Sequence, residues 1–247
     1  MLRLVNEQQG LTLKDIRALS NLPKPTVYRI LQTLKREGYV EPDGIRGVYH
    51  VTRKALELSA GYTERTFIVK VAAPIALATT RKTIKWPLAI GTLDRGTIIV
   101  RYSSMPYSPL GVATTTLGHR HDLLESAMGQ AYLIACDPTE RESLALLLKS
   151  NAPRRAAEIQ SKLDAVIANS QRGYGLRLAR KKGDSATLAV AIRHGQDVLA
   201  VLSLTTFGKV MNASFITRML PVLRSTVARI EADYVAAIDK VHERSRA

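Results

Sequence analysis

The chain has 247 residues, enough for one large domain or two small ones at about 100–200 residues each. Its 46% hydrophobic content can build a core, which excludes a disordered chain as the starting assumption. Lys and Arg number 36 against 21 Asp and Glu, a net charge of +15, which points to a polyanionic partner, most commonly nucleic acid; the competing reading is a generally basic surface with no such role.

Residues 1–8 read as the end of a helix, stopped by Gly10. Thr12 is placed to cap a second helix, with Asp15 as its acidic capping partner and Leu13, Ile16 and Leu19 at helical spacing. Ser20-Asn21-Leu22-Pro23 breaks that helix. A third starts near Lys24-Pro25, where proline is tolerated in the first turn, and stops at Gly38. Tyr39-Val40-Glu41 and Val48 to Val51 alternate like strands, separated by the turn residues Pro42-Asp43-Gly44. Thr52 then caps a helix through Leu56, Leu58 and Tyr62, followed by a longer helical stretch through Phe67, Val71, Ile75 and Leu77.

From Trp86 the period changes. Leu88 to Leu93 and Thr97 to Tyr102 read as strands joined by an Asp94-Arg95-Gly96 hairpin turn. Gly118 to Asp122 is polar, and helices follow at Ser126 to Ala135, 139–149 and 155–170. Tyr174 to Arg180, Thr187 to Arg193 and Val198 to Phe207 are strand-like, and a long helix occupies 213–243. The expected fold is α+β: residues 1–54 a winged helix-turn-helix, 55–82 connector helices, and 83–247 a second domain with a largely antiparallel sheet and surrounding helices.

The helix 12–19, its four-residue break and the helix 24–37 have helix-turn-helix spacing. In the second helix Val27, Ile30, Leu31 and Leu34 form one apolar face, while Lys24, Thr26, Tyr28, Arg29, Gln32, Lys35 and Arg36 fill the rest. Such a face donates to phosphates and base edges. Thr26, Tyr28 and Arg29 lie near the N-terminus, the end that reaches bases; Lys35 and Arg36 suit phosphates. Arg46 at the hairpin tip would approach the backbone or the minor groove. Residues 1–54 carry ten Lys and Arg against five Asp and Glu. The alternative is a solvated basic helix in an ordinary three-helix unit.

The chemistry of the second domain is quieter. Its single cysteine, Cys136, excludes an intrachain disulfide and follows the apolar run Ala131 to Ala135, so it reads as a buried, inert thiol. His119 and His121 flank Arg120 in what reads as a solvated loop; in a strand they could share a metal, but no third ligand accompanies them. Neither a nucleophile elbow nor a phosphate-cradling glycine loop is present, and no metal or cofactor is expected. No stretch approaches the ~20 apolar residues of a membrane span, and the N-terminus has no signal-peptide pattern, so a cytoplasmic protein with no membrane partner is expected.

The run Gly10-Leu-Thr-Leu-Lys-Asp-Ile, then Leu22-Pro-Lys-Pro-Thr-Val-Tyr-Arg-Ile-Leu-Gln-Thr-Leu and Glu37-Gly-Tyr-Val, resembles the N-terminal domain of the IclR family of bacterial transcription regulators. The likeness continues through Tyr49 to Leu58, Gly118 to Ala135 and Gly173-Tyr174. Family members usually carry a longer first helix ahead of Met1, so the chain is expected either to begin late or to lack part of that helix and its dimer contacts.

The resemblance implies a GAF-like effector domain binding a small organic molecule, often a carboxylate, and a homodimer or homotetramer on double-stranded operator DNA. The family's pocket positions fall on Ser126, Ala127, Met128 and Gly129 at a helix start, and on the strand residues Thr187, Ser203 and Thr205. The chain departs from the family at Gln130, in place of a usual lysine, and at Arg177, in place of an acidic residue. Arg177 can pair with a carboxylate in bidentate fashion, and Arg101 is a second candidate. The segment from Trp86 to Tyr102 is similar to regulators of aromatic-acid breakdown of the hydroxyphenylpropionate type, which suggests an aromatic or aliphatic carboxylate. The rival readings are a non-specific nucleic-acid-binding protein and an enzyme fused to a DNA-binding domain.

Overall fold

The computed structural model describes residues 1–7, 10–44, 47–57, 64–111, 116–181 and 183–246, and the chain divides into two units, Met1–Thr63 and Glu64–Ala247.

The first unit is built from α1 (Leu2–Glu7), β1 (Leu11–Thr12), α2 (Leu13–Ser20), α3 (Lys24–Arg36), β2 (Val40–Pro42) and β3 (Val48–Val51). A reciprocal capping box starts α2: the Asp15 amide donates to Thr12 Oγ1 at 3.3 Å and the Thr12 amide to Asp15 Oδ2 at 3.2 Å. The Thr12 hydroxyl and amide both donate to the Asp15 carboxylate and hold it below its usual range, the hydroxyl contributing most. Asn21, in the left-handed region, ends α2 and turns the chain into α3. At the other end of α3 the amide of Tyr39 donates to Leu34 O (2.8 Å) and that of Gly38 to Lys35 O (2.9 Å), a Schellman closure. The strands pair antiparallel in the order β1-β3-β2, with Pro42 on an edge strand, where its missing donor does no harm. Val5, Ile16, Val27, Leu31 and Val40 form the buried core. The helix expected from Thr52 starts with a 3-10 turn, Arg53–Leu56, followed by helical Glu57; it is capped by Thr52, whose hydroxyl also donates to Gly38 O at 2.5 Å. Residues 58–63 lie outside the described residues.

In the second unit α4 (Glu64–Thr79) and a π-helical turn (Thr80–Ile84) lead into β4 (Leu88–Asp94) and β5 (Thr97–Ser103). Then come β6 (Arg120–Asp122), α5 (Ala127–Ala135), α6 (Pro138–Asn151), α7 (Ala156–Ala168), β7 (Gly175–Arg177), β8 (Ser185–His194), β9 (Asp197–Phe207) and α8 (Ala213–Arg246). The strands form one antiparallel sheet, β6-β5-β4-β9-β8-β7. Arg95 and Gly96, both at positive φ (49° and 77°), make the two-residue β4–β5 turn.

Helices cover both faces of the sheet. Leu88, Ile90, Leu188, Leu202 and Leu204 face α4 and α8, packing with Ile68, Ile75, Leu223, Ile230 and Tyr234. Ala89, Val100, Ala189 and Val201 face α5 and α7, packing with Met128, Tyr132, Ile159 and Leu163. This two-sided burial follows from alternation along the strands, interrupted by irregularities at Ile90/Gly91 and Ile192/Arg193. The fold is the expected α+β.

One expectation fails. The polar stretch read as a solvated loop contains β6, whose Arg120, His121 and Asp122 pair with Ile99, Ile98 and Thr97 of β5. An edge strand pairs on one side only and needs no apolar alternation, so long-range pairing overrides the local pattern here. Arg120 anchors it, donating to Asp94 Oδ2 at 2.5 Å and to Thr97 Oγ1 at 3.0 Å.

Candidate nucleic-acid interface and ligand cavity

Burial of Val27 and Leu31 fixes the roll of α3, because both seat against the core of the first unit. Lys24, Thr26, Tyr28, Arg29, Lys35 and Arg36 are consequently exposed and Gln32 is half-buried. Among the described residues Lys24, Arg29 and Lys35 have no carboxylate within ion-pair distance, while Arg36 meets Glu37 at 3.3 Å. Pro23 caps α3 without a side-chain hydrogen bond, so the helix presents its positive end with no acidic residue in the first turn. Exposed Lys14 and Arg17 of α2 extend the basic surface beside Asn21 and Pro23; they were not singled out in the sequence, although their positions opposite Ile16 on the helix wheel carried the signal. Arg46 lies outside the described residues.

In the second unit the α5-facing side of the sheet changes character along its strands. It is apolar at Ala189 and Val201, then hydroxylated at Ser185, Thr187, Ser203 and Thr205. Thr187 and Thr205 are cross-strand partners with their hydroxyl oxygens 3.3 Å apart. Over this hydroxylated end lies a cavity of about 380 Å³, at the small end of the ~300–1,000 Å³ typical of ligand sites. Ser126, Ala127, Met128, Arg177, Thr187, Ser203 and Thr205 of the expected set all line it, together with His121, Asp184, Ser185, Met105 and Phe207.

Two close approaches bring α5 to the cavity. A β-carbon on Gly129 would lie 2.3 Å from the Leu123 backbone, and one on Gly175 would lie 2.0 Å from Ala127 O. Only glycine lets α5 settle between those two backbones. Gly129 therefore acts in packing, outside the cavity lining, and its amide donates to the capping Ser126 hydroxyl at 2.9 Å. Gln130 is likewise structural: it accepts from the Leu176 amide (3.1 Å) and donates to Leu124 O (3.3 Å), tying α5 to β7.

The two arginine candidates separate. Arg177 lines the cavity, and its Nη2 donates to Ser185 Oγ at 2.9 Å. Arg101 does not reach it. Tyr102 pairs with Ile90 and Val100 with Gly91, so Arg101 is the extra residue of a β-bulge. As the neighbour of the cavity-side Val100 it lies on the opposite face, where its Nε donates to Thr92 Oγ1 at 3.2 Å.

His121 was not expected at the cavity. Burial, then the nearby His119 and Arg177, push its imidazole below the ordinary histidine value, so it is neutral near pH 7. No group of three or more His, Cys, Asp or Glu placed to hold a metal exists among the described residues.

The chain thus carries a winged helix-turn-helix with a basic face and an α/β unit that encloses a polar cavity. Residues 1–44 match the IclR helix-turn-helix domain. The chain is 24% identical over 177 residues to the HTH-type transcriptional regulator KdgR of Escherichia coli K12, covering 71% of this chain and 66% of that one. The chain spans about two thirds or less of the first curated relatives it matches (66%, 26% and 57% of their lengths).

Solved structures agree in fold. An IclR-family regulator from Brucella abortus superposes with a TM-score of 0.55 at 23% identity, covering 94% of this chain and 88% of that one. An IclR homolog from Microbacterium hydrocarbonoxydans, complexed with 4-hydroxybenzoate, gives 0.56 at 19%, covering 95% and 96%. No helix among the described residues is long and apolar enough to cross a membrane.

Proposed function

We propose that this protein is a DNA-binding transcription regulator of a catabolic operon, acting in the cytoplasm as a homodimer or homotetramer under control of a small carboxylate effector. The exposed basic face of α3, with three cations lacking a carboxylate partner among the described residues, carries the reading. Thr26, Tyr28 and Arg29 would read base edges; Lys24, Gln32, Lys35, Arg36 and the wing residue Arg46 would contact the backbone, joined by Lys14 and Arg17. Paired half-sites require two α3 helices roughly 34 Å apart on a near-palindromic operator. Residues 1–54 serve as the DNA-binding module, 55–82 as the connector and 83–247 as the effector domain.

The cavity supports the effector half. Its one arginine is a bidentate carboxylate receptor, and its hydroxyls and Met128 suit a small ligand. The 4-hydroxybenzoate bound by the Microbacterium homolog makes aromatic acids the first ligands to try. The effector changes operator affinity by binding the two functional states unequally. Against an enzymatic role, the cavity's Ser185 is bonded to Arg177, Ser126 to backbone and Asp184 to the amides of Arg180 and Lys181, so no serine among them is hydrogen-bonded to His121.

Mobility-shift titrations across a salt series, with operator and competitor DNA, test the regulator. Sequence preference that survives high salt is expected; binding without preference would reduce the protein to a non-specific nucleic-acid binder.

A further inference from the structure

We propose that Arg177 and His121 form a single carboxylate clamp, through which a bound effector ties together the two opposite edge strands of the sheet. This rests on the effector reading above and adds the residue and the geometry by which the effector acts.

The strands β6 and β7 stand first and last in the sheet and do not pair with each other. Nevertheless His121 of β6 and Arg177 of β7 line the same cavity, so the sheet curls until its edges meet around that space. Arg177 arrives without a counterion. Its hydrogen-bond partner is the neutral Ser185 hydroxyl, and among the described residues no carboxylate lies within ion-pair distance. Asp184 also lines the cavity, but its Oδ2 already accepts from the backbone amides of Arg180 and Lys181, each at 3.2 Å. A half-buried guanidinium facing a cavity is a standing demand for an anion.

The His121 ring has no hydrogen-bond partner among the described residues. The titratable groups around it are Arg177 from β7, Asp184 from the loop before β8 and His119 beside it on its own segment. The packed residues of β5 and α5 (Val100, Ser126, Ala127 and Met128) contribute none. A carboxylate entering between the edges offers its second oxygen to the imidazole and cancels the field of Arg177. Both effects favour the imidazolium, so His121 takes up a proton from solvent as the effector binds. The charge balance inside the cavity becomes two cations against one ligand anion and the tethered Asp184.

The test uses the full chain and a panel of small monocarboxylates that includes 4-hydroxybenzoate, each paired with its primary amide, by isothermal titration from about pH 6 to 9. Acids should bind about tenfold or more tighter than their amides, as loss of a charge-assisted bond requires. Their Kd should rise with pH by up to about tenfold per unit while His121 is neutral free and protonated bound. Arg177→Gln should erase the acid preference and Arg177→Lys restore part of it. His121→Leu should weaken the acids and flatten the pH dependence.

The clamp is overturned if no acid in the panel binds, if acids and amides bind alike, or if His121→Leu keeps the wild-type affinity and pH profile. Operator binding by the ligand-free variants stays at the wild-type level. Loss of sequence preference there would instead count against the regulator reading.

Discussion

Replacing Gly175 by alanine would place a methyl carbon 2.0 Å from the carbonyl oxygen of Ala127 and 2.6 Å from the amide nitrogen of Ala131. Both obstacles are backbone atoms of α5, so no side-chain rotation relieves them. Non-bonded carbon contacts settle near ~3.5 Å, so α5 must retreat from β7 by roughly 1 Å or more. Overpacking of this kind costs about 1–3 kcal/mol, and an unyielding backbone neighbour places Gly175→Ala at the upper end. At about 2–4 °C per kcal/mol for a unit of this size, the second unit should melt roughly 5–12 °C lower. The retreating helix carries Ala127 and Met128, which line the cavity, so carboxylate affinity should fall as well. Differential scanning calorimetry with and without ligand reads both quantities. A melting point within ~1 °C of wild type, with unchanged ligand affinity, would refute the claim that α5 is held in place by contact with β7.

In the first unit, Leu31→Ala removes a fully buried side chain and should cost about 2–5 kcal/mol, enough to abolish operator binding by unfolding the unit. Arg29→Ala should leave circular dichroism unchanged while weakening operator binding by about 1–3 kcal/mol; a uniform loss on all sequences with a shallower salt slope would reassign Arg29 from base to phosphate. Thr12→Ala should destabilise the unit by about 1 kcal/mol through loss of the α2 cap. Because the folded state lowers the Asp15 pKa, the stability this carboxylate contributes is present above the ordinary aspartate range and lost as pH falls through its folded value, so the gap between Thr12→Ala and wild type should close in acid. A gap independent of pH would mean that the capping box is not formed. Burial pushes the Cys136 thiol up to about 11, so iodoacetamide at about pH 8 should label it only after denaturation; rapid labelling of native protein would contradict its burial.

Much of the fold was legible because local chemistry and tertiary packing agree. Thr12 and Asp15 are spaced for a capping box and form one; Arg95-Gly96 supplies the two positive φ values that a tight hairpin turn requires. The long helix expected over 213–243 supplies Leu223, Val227, Ile230 and Tyr234 to the core beneath the sheet. The hydroxyls of the cavity were legible only through the family resemblance, which put pocket positions on Thr187, Ser203 and Thr205, and all three line the cavity. The strand β6 was hidden because nothing local specifies it. Its pairing depends on β5, about twenty residues earlier in the chain, and its side chains have the polarity of a loop.

The same distinction decides what arginine and histidine can do at the cavity. Arg101 and Arg177 are near-equivalent in sequence, each near the end of an apolar strand. Strand phase separates them: Arg177 pairs in phase with Thr187 and shares its cavity-lining face, whereas Arg101 follows the cavity-side Val100 and alternation places it on the other side, against Thr92. Strand phase thus decides which cation is available to an anionic ligand, and no property of either arginine reports it. His121 is the converse case. It was set aside as solvated because β6 was not recognised, yet once the strand is paired, alternation sends His119 and His121 to the face shared with Ile98, and the curl of the sheet carries His121 to Arg177. The ligand chemistry of this protein is therefore written in strand register more than in residue identity. Arg101→Ala should therefore leave carboxylate binding intact, and so should deletion of Arg101, which closes the bulge while Tyr102 and Ser103 stay in phase with Ile90 and Ala89; loss of carboxylate binding in Arg101→Ala would return Arg101 to the site.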